Sequence, residues 1–285
     1  MTLNVRVPFS PCQDAVLISG MAPKAAAGSS YSQSLERGLA ILSAFRSGRP
    51  LLGVSELGRD IGLSRSTTHR YVATLAALGY LKQDPATKKY RLGPRVLDLG
   101  FSAINSMELR EVAAPHLRQL SDETGYTVNM AILDGLDIVY VERCRSARSG
   151  QREIDLNLHV GSRLPAYCTS LGKALLAFLP ERDLQAALAD VDFTRRGPNT
   201  LTSRAAFLLD LKRVRENGFA INNEELAYGL RSIAAPVLSH DGVAVAAINL
   251  AVHSSMVSME DLVARLSPTL RAAAADISAR LGHRP

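Results

Sequence analysis

Cysteine is scarce in this 285-residue chain: Cys12, Cys144 and Cys168 are odd in number and far apart. That excludes a disulfide scaffold or a paired-cysteine zinc site and suits a reduced cytoplasmic protein. Long apolar runs are missing too. None reaches the roughly 18 residues of a membrane span, and Met1–Gly20 lacks the basic start and clean apolar stretch of a signal peptide. No membrane partner is expected. Catalytic signatures are also absent, with no HExxH and no GxSxG. Gly172-Lys173 fails as a phosphate-binding loop, because Tyr167 stands where glycine is needed and Ala174 where Ser or Thr is needed. The histidines are scattered, and His253 reads as a strand end. Cys168 precedes a helix start, which can lower a thiol pKa, but no base stands at a useful spacing, so it reads as structural. Neither cofactor nor metal is expected.

What the chain has is positive charge in one place. Its net charge is +6. Between Val54 and Arg95, eight Lys and Arg face only Glu56, Asp60 and Asp84, so five of those six charges lie there. The same segment carries helical punctuation. "VSELGRDIGLS" spaces Val54, Leu57 and Ile61 for a short helix, with Ser55 as its cap and Gly62 at its end. "LSRSTTHRYVATLAALGYL" follows, with Ser64 as N-cap, Thr68, Val72, Leu75 and Leu78 as an apolar stripe, and Gly79 as the stop. This is a helix-turn-helix. Upstream, Leu35, Leu39, Leu42 and Phe45 predict a third helix packed on the pair. Downstream, "LKQDPATKKYRLG" predicts a hairpin with a basic tip, a wing. Arg65, Ser66, Thr67, Arg70 and Tyr71 open the second helix and suit base edges in a major groove, while Lys88 and Lys89 suit phosphate. Double-stranded operator DNA is the expected partner. A single such unit spans few base pairs, so a homodimer or a dimer of dimers is expected.

The 47% hydrophobic content allows two domains, one with a sizeable core. Residues 1–30 end in "APKAAAGSS" and read as a disordered tail. The winged helix-turn-helix is expected over 31–93, a linker helix over 94–107 and a sensor domain over 108–283. Within the linker stretch, Leu97, Phe101 and Ile104 share a face, and Pro115 divides the helix beyond it or opens a new segment. Two hairpins are predicted about Asp134-Gly135 and Asp241-Gly242, and Arg152–Val160 alternates like a strand. Helices between and after them make the fold class α+β. "TSLGKALLA" places the N–H groups of Ser170, Leu171 and Gly172 at a helix start, where they favour a carboxylate.

The residues resemble the IclR family of bacterial transcription regulators over about Ser32–Gly282. "GFAINNEELAYGLRSIAAPV" (Gly218–Val237) is similar to the family's marker, with Glu225 and Ser232 at the expected spacing. Asn222 stands where that marker prefers Asp or Ser, and Leu238 and Ser239 depart from its end. "NLHVGSRLPAYCTSLGKALLA" resembles the subgroup that controls protocatechuate and 4-hydroxybenzoate breakdown, the PcaR/PcaU/PobR-like regulators. The resemblance implies a GAF-like effector-binding domain whose ligand positions fall on Leu164, Ser170, Leu171, Asn222, Ser232, Asn249 and Ala251. With Arg152, Arg163 and Arg231 as nearby cations, it implies a small carboxylate effector, an aromatic acid or a β-ketoadipate-like dicarboxylate. Two other readings stay open on the sequence alone: an enzyme fused to a DNA-binding domain, and a ligand-independent architectural DNA binder.

Overall fold

A computed structural model describes residues 31–46, 48–105, 108–146 and 158–284. The expected tail, 1–30, lies outside the described residues. The chain divides into two compact units at Gly100/Phe101.

The first unit opens with α1 (Gln33–Ser43), α2 (Val54–Asp60) and α3 (Arg65–Ala77). Strands β1 (Leu81–Gln83) and β2 (Tyr90–Leu92) pair antiparallel, and Leu52 bridges Tyr90 as a third short rung. Ile41, Leu52, Leu57, Val72, Leu81 and Tyr90 form its core. The α2–α3 crossing is close. A Cβ on Gly58 would stand 2.9 Å from both Leu63 O and Thr68 Oγ1, so only glycine lets the two helices meet there. Gly79, at φ +81°, ends the α3 region, and Tyr80 N–H donates back to Leu75 O at 2.9 Å.

Three local expectations need correction. Leu35 and Leu39 are 64% and 55% exposed, and Ile41 is the buried contact instead. Only the C-terminal end of α1 packs on this small core, so a stripe running the whole helix has nothing to cover its start. Ser55 does not cap α2: the Glu56 carboxylate accepts from Gly53 N–H at 2.6 Å and does that work. Leu78 lies just past α3 and is exposed.

Helix α4 (Arg95–Asn105) spans the junction between the units, and Leu97 on it is exposed; Ser106 and Met107 lie outside the described residues. The second unit begins its described fold with α5 (Glu108–Thr124), which runs unbroken through Pro115. Its sheet has the order β5-β4-β3-β8-β7-β6 and every pairing is antiparallel. The strands are β3 (Thr127–Asp134), β4 (Asp137–Cys144), β5 (Arg163–Pro165), β6 (Ala220–Asn223), β7 (Leu230–Leu238) and β8 (Ala244–His253). The first hairpin turns on Gly135-Leu136, one residue later than expected, with Gly135 at φ +62°. The alternating stretch 152–157 lies outside the described residues, and His159 and Val160 are not strand. Strand β5 forms beyond it.

Helices cover both faces of this sheet. On one side α5 and α9 (Ser267–Arg280) pack on Val128, Met130, Ile233, Ile248 and Leu250. On the other lie α6 (Ser170–Ala177), α7 (Glu181–Ala187) and α8 (Arg204–Asn217). All eight residues of α6 are buried, as a helix apolar nearly all round requires. It crosses the turn before it so tightly that a Cβ on Gly172 would lie 2.1 Å from Ala166 O. The architecture is α+β. Among the described residues no helix is long and apolar enough to cross a membrane.

Candidate functional site

The first candidate is the exposed end of α3. Ser64 Oγ accepts from Thr67 N–H at 3.3 Å, donates to Thr67 Oγ1 at 2.9 Å and lies 3.2 Å from Ser66 Oγ. These hydroxyls fix the first turn, and from it Arg65, Ser66 and Arg70 face outward, exposed, while Thr67 is half-buried. Tyr71 is half-buried and packs on the core; the Ser34 hydroxyl and the Arg37 guanidinium hold its phenol below the ordinary value.

At the wing, Asp84 Oδ1 accepts from Ala86 N–H, Thr87 N–H and the Thr87 hydroxyl, the last two at 2.7 and 2.8 Å. That knot lets Lys88 sit at φ +58° on the tip, exposed. Lys89 differs. Its Nζ lies 3.2 Å from Glu56 Oε2, so part of its charge is spent holding the wing to α2.

The second candidate is a cavity between the start of α6 and the sheet. Cross-strand register builds its floor. One row runs Arg143–Asn129–Asn249, from β4 through β3 to β8; the next runs Thr127–Ala251–Ser232–Asn222, from β3 to β6. Both rows face α6, while their neighbours Val128, Met130, Ile248 and Leu250 face the opposite core. Thr169 and Ser170 line the side, and Leu158, Leu226 and Leu230 complete the wall. The cavity is about 30 Å³, enough for roughly one water molecule.

Its polar groups are mostly interlocked. Ser170 Oγ and Ser232 Oγ lie 2.7 Å apart. Asn129 Oδ1 accepts from Arg143 Nη1 at 2.8 Å, and its Nδ2 donates to Asn249 Oδ1 at 2.8 Å. Asn222 donates to Cys168 O at 2.7 Å and accepts from Glu225 N–H at 3.1 Å. Thr127 Oγ1 is buried and has no partner among the described residues. At the helix start, Thr169 Oγ1 takes the Gly172 N–H at 3.1 Å, so one of the three expected donors is occupied by the cap. The Ser170 and Leu171 N–H groups have no acceptor among the described residues.

Of the seven expected ligand positions, Ser170, Asn222, Ser232, Asn249 and Ala251 meet at this cavity. Leu164 and Leu171 do not line it and pack into the apolar core beside it. The expected cations are elsewhere. Arg163 pairs with Asp134 at 2.7 Å and Asp137 at 3.3 Å on the hairpin surface. Arg231 points to the other face of β7, donating to Asn223, Ser254 and Val257. Arg152 lies outside the described residues. Sequence reasoning missed Arg143 and Asn129, because nothing local marks the strand-end "VERC" as facing a cavity.

Beside the cavity an ion triad centred on buried Lys173 joins α6 to α8 and to the chain after β6. Lys173 Nζ lies 2.6 Å from Glu225 Oε1 and 2.9 Å from Asp210 Oδ2. Burial pushes the Glu225 carboxyl above the usual carboxylate range, and Lys173 pulls it back.

Two family profiles cover most of the chain: the IclR helix-turn-helix domain over residues 34–85 and the bacterial transcriptional regulator IclR C-terminal domain over 101–279. The chain belongs to the IclR family of transcriptional regulators. Among its relatives, the HTH-type transcriptional regulator XynR of Escherichia coli (strain K12) is 36% identical over 88% of this chain and 98% of its own. The Pca regulon regulatory protein of Pseudomonas putida is also 36% identical, over 88% and 84%. A solved IclR homologue from Microbacterium hydrocarbonoxydans, complexed with 4-hydroxybenzoate, is 26% identical over 87% of this chain and 98% of its own, with a TM-score of 0.74. IclR-family members are regulators, not enzymes, and Cys168 fits that. It is buried, its thiol donates to Pro165 O at 3.7 Å, and burial pushes its pKa up to about 12. Such a thiol is a poor nucleophile.

Proposed function

We propose that this chain is an effector-responsive transcription regulator of aromatic acid catabolism. Residues 31–93 read operator DNA, 94–107 link, and 108–283 sense an aromatic or related carboxylic acid. The observation that carries the sensing role is the α6–sheet cavity: polar rows from five strands converge there. The Pseudomonas putida relative is a Pca regulon regulator and the Microbacterium neighbour holds 4-hydroxybenzoate, which supports the aromatic class. Arg65, Ser66, Thr67 and Arg70 are assigned to the operator, with Tyr71 at their edge and Lys88 and Lys89 on phosphate. The effector contacts Ser170, Asn222, Ser232, Asn249 and Ala251, and the lateral groups Leu164 and Leu171 shape the wall behind them. A ring-sized acid exceeds the present space, so half-buried Leu158 and Leu226 must give way on entry. Binding regulates only if the acid favours one DNA-binding arrangement over another.

Calorimetry tests the site. Ser232→Leu and Asn249→Leu should each weaken effector binding by about 0.5–1.5 kcal/mol where a neutral hydrogen bond is lost, and more from the added bulk. Operator affinity without effector should hold, because both residues belong to the other compact unit. Wild-type effector affinity in both variants would place the effector elsewhere. The assembly is proposed to be a homodimer or a dimer of dimers, since one winged unit covers too few base pairs for specific control. Light scattering at operator-binding concentrations should therefore give at least twice the chain mass of 30.7 kDa; a monomer there would refute it.

A further inference from the structure

Along the cavity floor, polar side chains are spent on one another or on backbone. Arg143 is engaged with Asn129, Asn129 with Asn249, and Ser170 with Ser232, while Asn222 is committed to Cys168 O and Glu225 N–H. Thr127 on β3 differs. It is 2% exposed, it lines the cavity, and its Oγ1 has no hydrogen-bond partner among the described residues. Burying a hydroxyl unpaired opposes folding. Valine would keep the β-branched shape that suits a strand and carry no such penalty. Thr127 stands opposite Ala251, whose methyl group offers its oxygen nothing. An oxygen that weakens the fold and faces a cavity is a candidate for binding what enters that cavity.

We propose that Thr127 is a specificity-determining effector contact, its hydroxyl exchanging a hydrogen bond with a neutral hydroxyl of the bound acid at the β3 end of the site. This rests on the cavity being the effector site. The chemistry of the two ends differs. At α6 the Ser170 and Leu171 N–H groups are donors at a helix start, which suits an anion. Thr127 is uncharged and can donate and accept at once, which suits another hydroxyl. Register sets the distance between them. The Ser170 hydroxyl bonds to Ser232, and from Ser232 the row crosses Ala251 on β8 to reach Thr127 on β3. That is two strand spacings, about 9.5 Å. Ala251 between them is small and apolar, so the flat face of a ring can lie over it. An acid of two or three carbons held at α6 falls short of Thr127. An aromatic acid with its hydroxyl opposite the carboxylate spans the row.

The test is calorimetry on the full chain with 4-hydroxybenzoate, benzoate and 4-methylbenzoate, the last matching the hydroxyl in size without its hydrogen bond. Wild type should bind the hydroxy acid about 3- to 10-fold tighter than the methyl acid, the range of one neutral hydrogen bond. Thr127→Val should erase that preference and leave 4-methylbenzoate and benzoate nearly unchanged. Without ligand, Thr127→Val should also raise the urea midpoint, because it deletes an unpaired buried hydroxyl. A lowered midpoint with the preference intact marks the hydroxyl as structural and overturns the proposal. So does the absence of any preference in wild type, or an equal weakening of all three acids by Thr127→Val, since a contact to the ring hydroxyl cannot act on acids that lack one. Should Thr127→Val fail to fold, Thr127→Ser and Thr127→Ala decide: preference kept by Ser and lost by Ala supports the contact, and the same preference in both overturns it. If the preference survives Thr127→Val while Ser232→Leu and Asn249→Leu weaken binding, Thr127 is no contact and the cavity remains the site. Hydroxy-acid binding untouched by all three variants removes the cavity reading as well. No binding of any of these acids by wild type removes both.

Discussion

Replacing Lys173 by Met should lower the stability of the second unit by about 3–5 kcal/mol, the cost of stripping one partner from a buried ion pair. Lys173 is 3% exposed and Glu225 9%, so neither can exchange its partner for water, whereas Asp210 at 26% can. Without Lys173 the Glu225 carboxylate is left buried and charged beside the like charge of Asp210, and its already raised pKa should climb further. A carboxyl whose folded pKa exceeds its unfolded value binds its proton more tightly when folded. The penalty therefore grows as pH rises from the unfolded value toward the folded one, and shrinks in acid. Urea denaturation of Lys173→Met at pH 5 and pH 7.5 should show the smaller deficit at pH 5. The double variant Lys173→Met/Glu225→Gln should recover much of the loss. A single variant within about 1 kcal/mol of wild type at both pH values would mean the triad does not hold α6 in place. Because α6 carries Ser170 and the residues after β6 carry Leu226, the triad also sets how far apart those two walls of the cavity stand.

The second large effect concerns DNA. Arg65→Ala and Arg70→Ala should each cost about 1–3 kcal/mol on an operator selected from random duplexes and little on scrambled duplex, as expected for base contacts. Both side chains are exposed on the first two turns of α3. Lys88→Ala should weaken both duplexes alike and reduce the salt slope by about one. Lys89→Ala should do less at the phosphate and more to the wing, since its ammonium is shared with Glu56. Fluorescence anisotropy across a salt series separates these outcomes. Unchanged operator affinity in both arginine variants would remove α3 as the reading helix.

The DNA-binding unit was legible because its determinants are local. Ser64 caps the turn three residues on, Gly79 closes the helix it follows, and Asp84 knots a turn with Ala86 and Thr87. Each choice is made within a few residues, so spacing along the chain announces it. Which helix faces are covered was less legible: Leu35 and Leu39 fit a stripe that the small core does not reach. Both hairpins of the sheet were likewise announced by Asp-Gly turns. The cavity was not. The resemblance pointed to Ser170, Asn222, Ser232, Asn249 and Ala251, but the residues that join them across the sheet come from β3 and β4, with Asn129 lying 120 positions from its partner Asn249. Pairing β3 with β8 sets Asn129 opposite Asn249 and Thr127 opposite Ala251, and a one-residue slip would turn both rows into the other core. Arg143, Arg163 and Arg231 look alike as letters in strand-like segments. Sheet register and strand face alone aim the first at the cavity, the second at surface acids and the third away, because side-chain direction alternates along a strand and its surroundings come from distant chain.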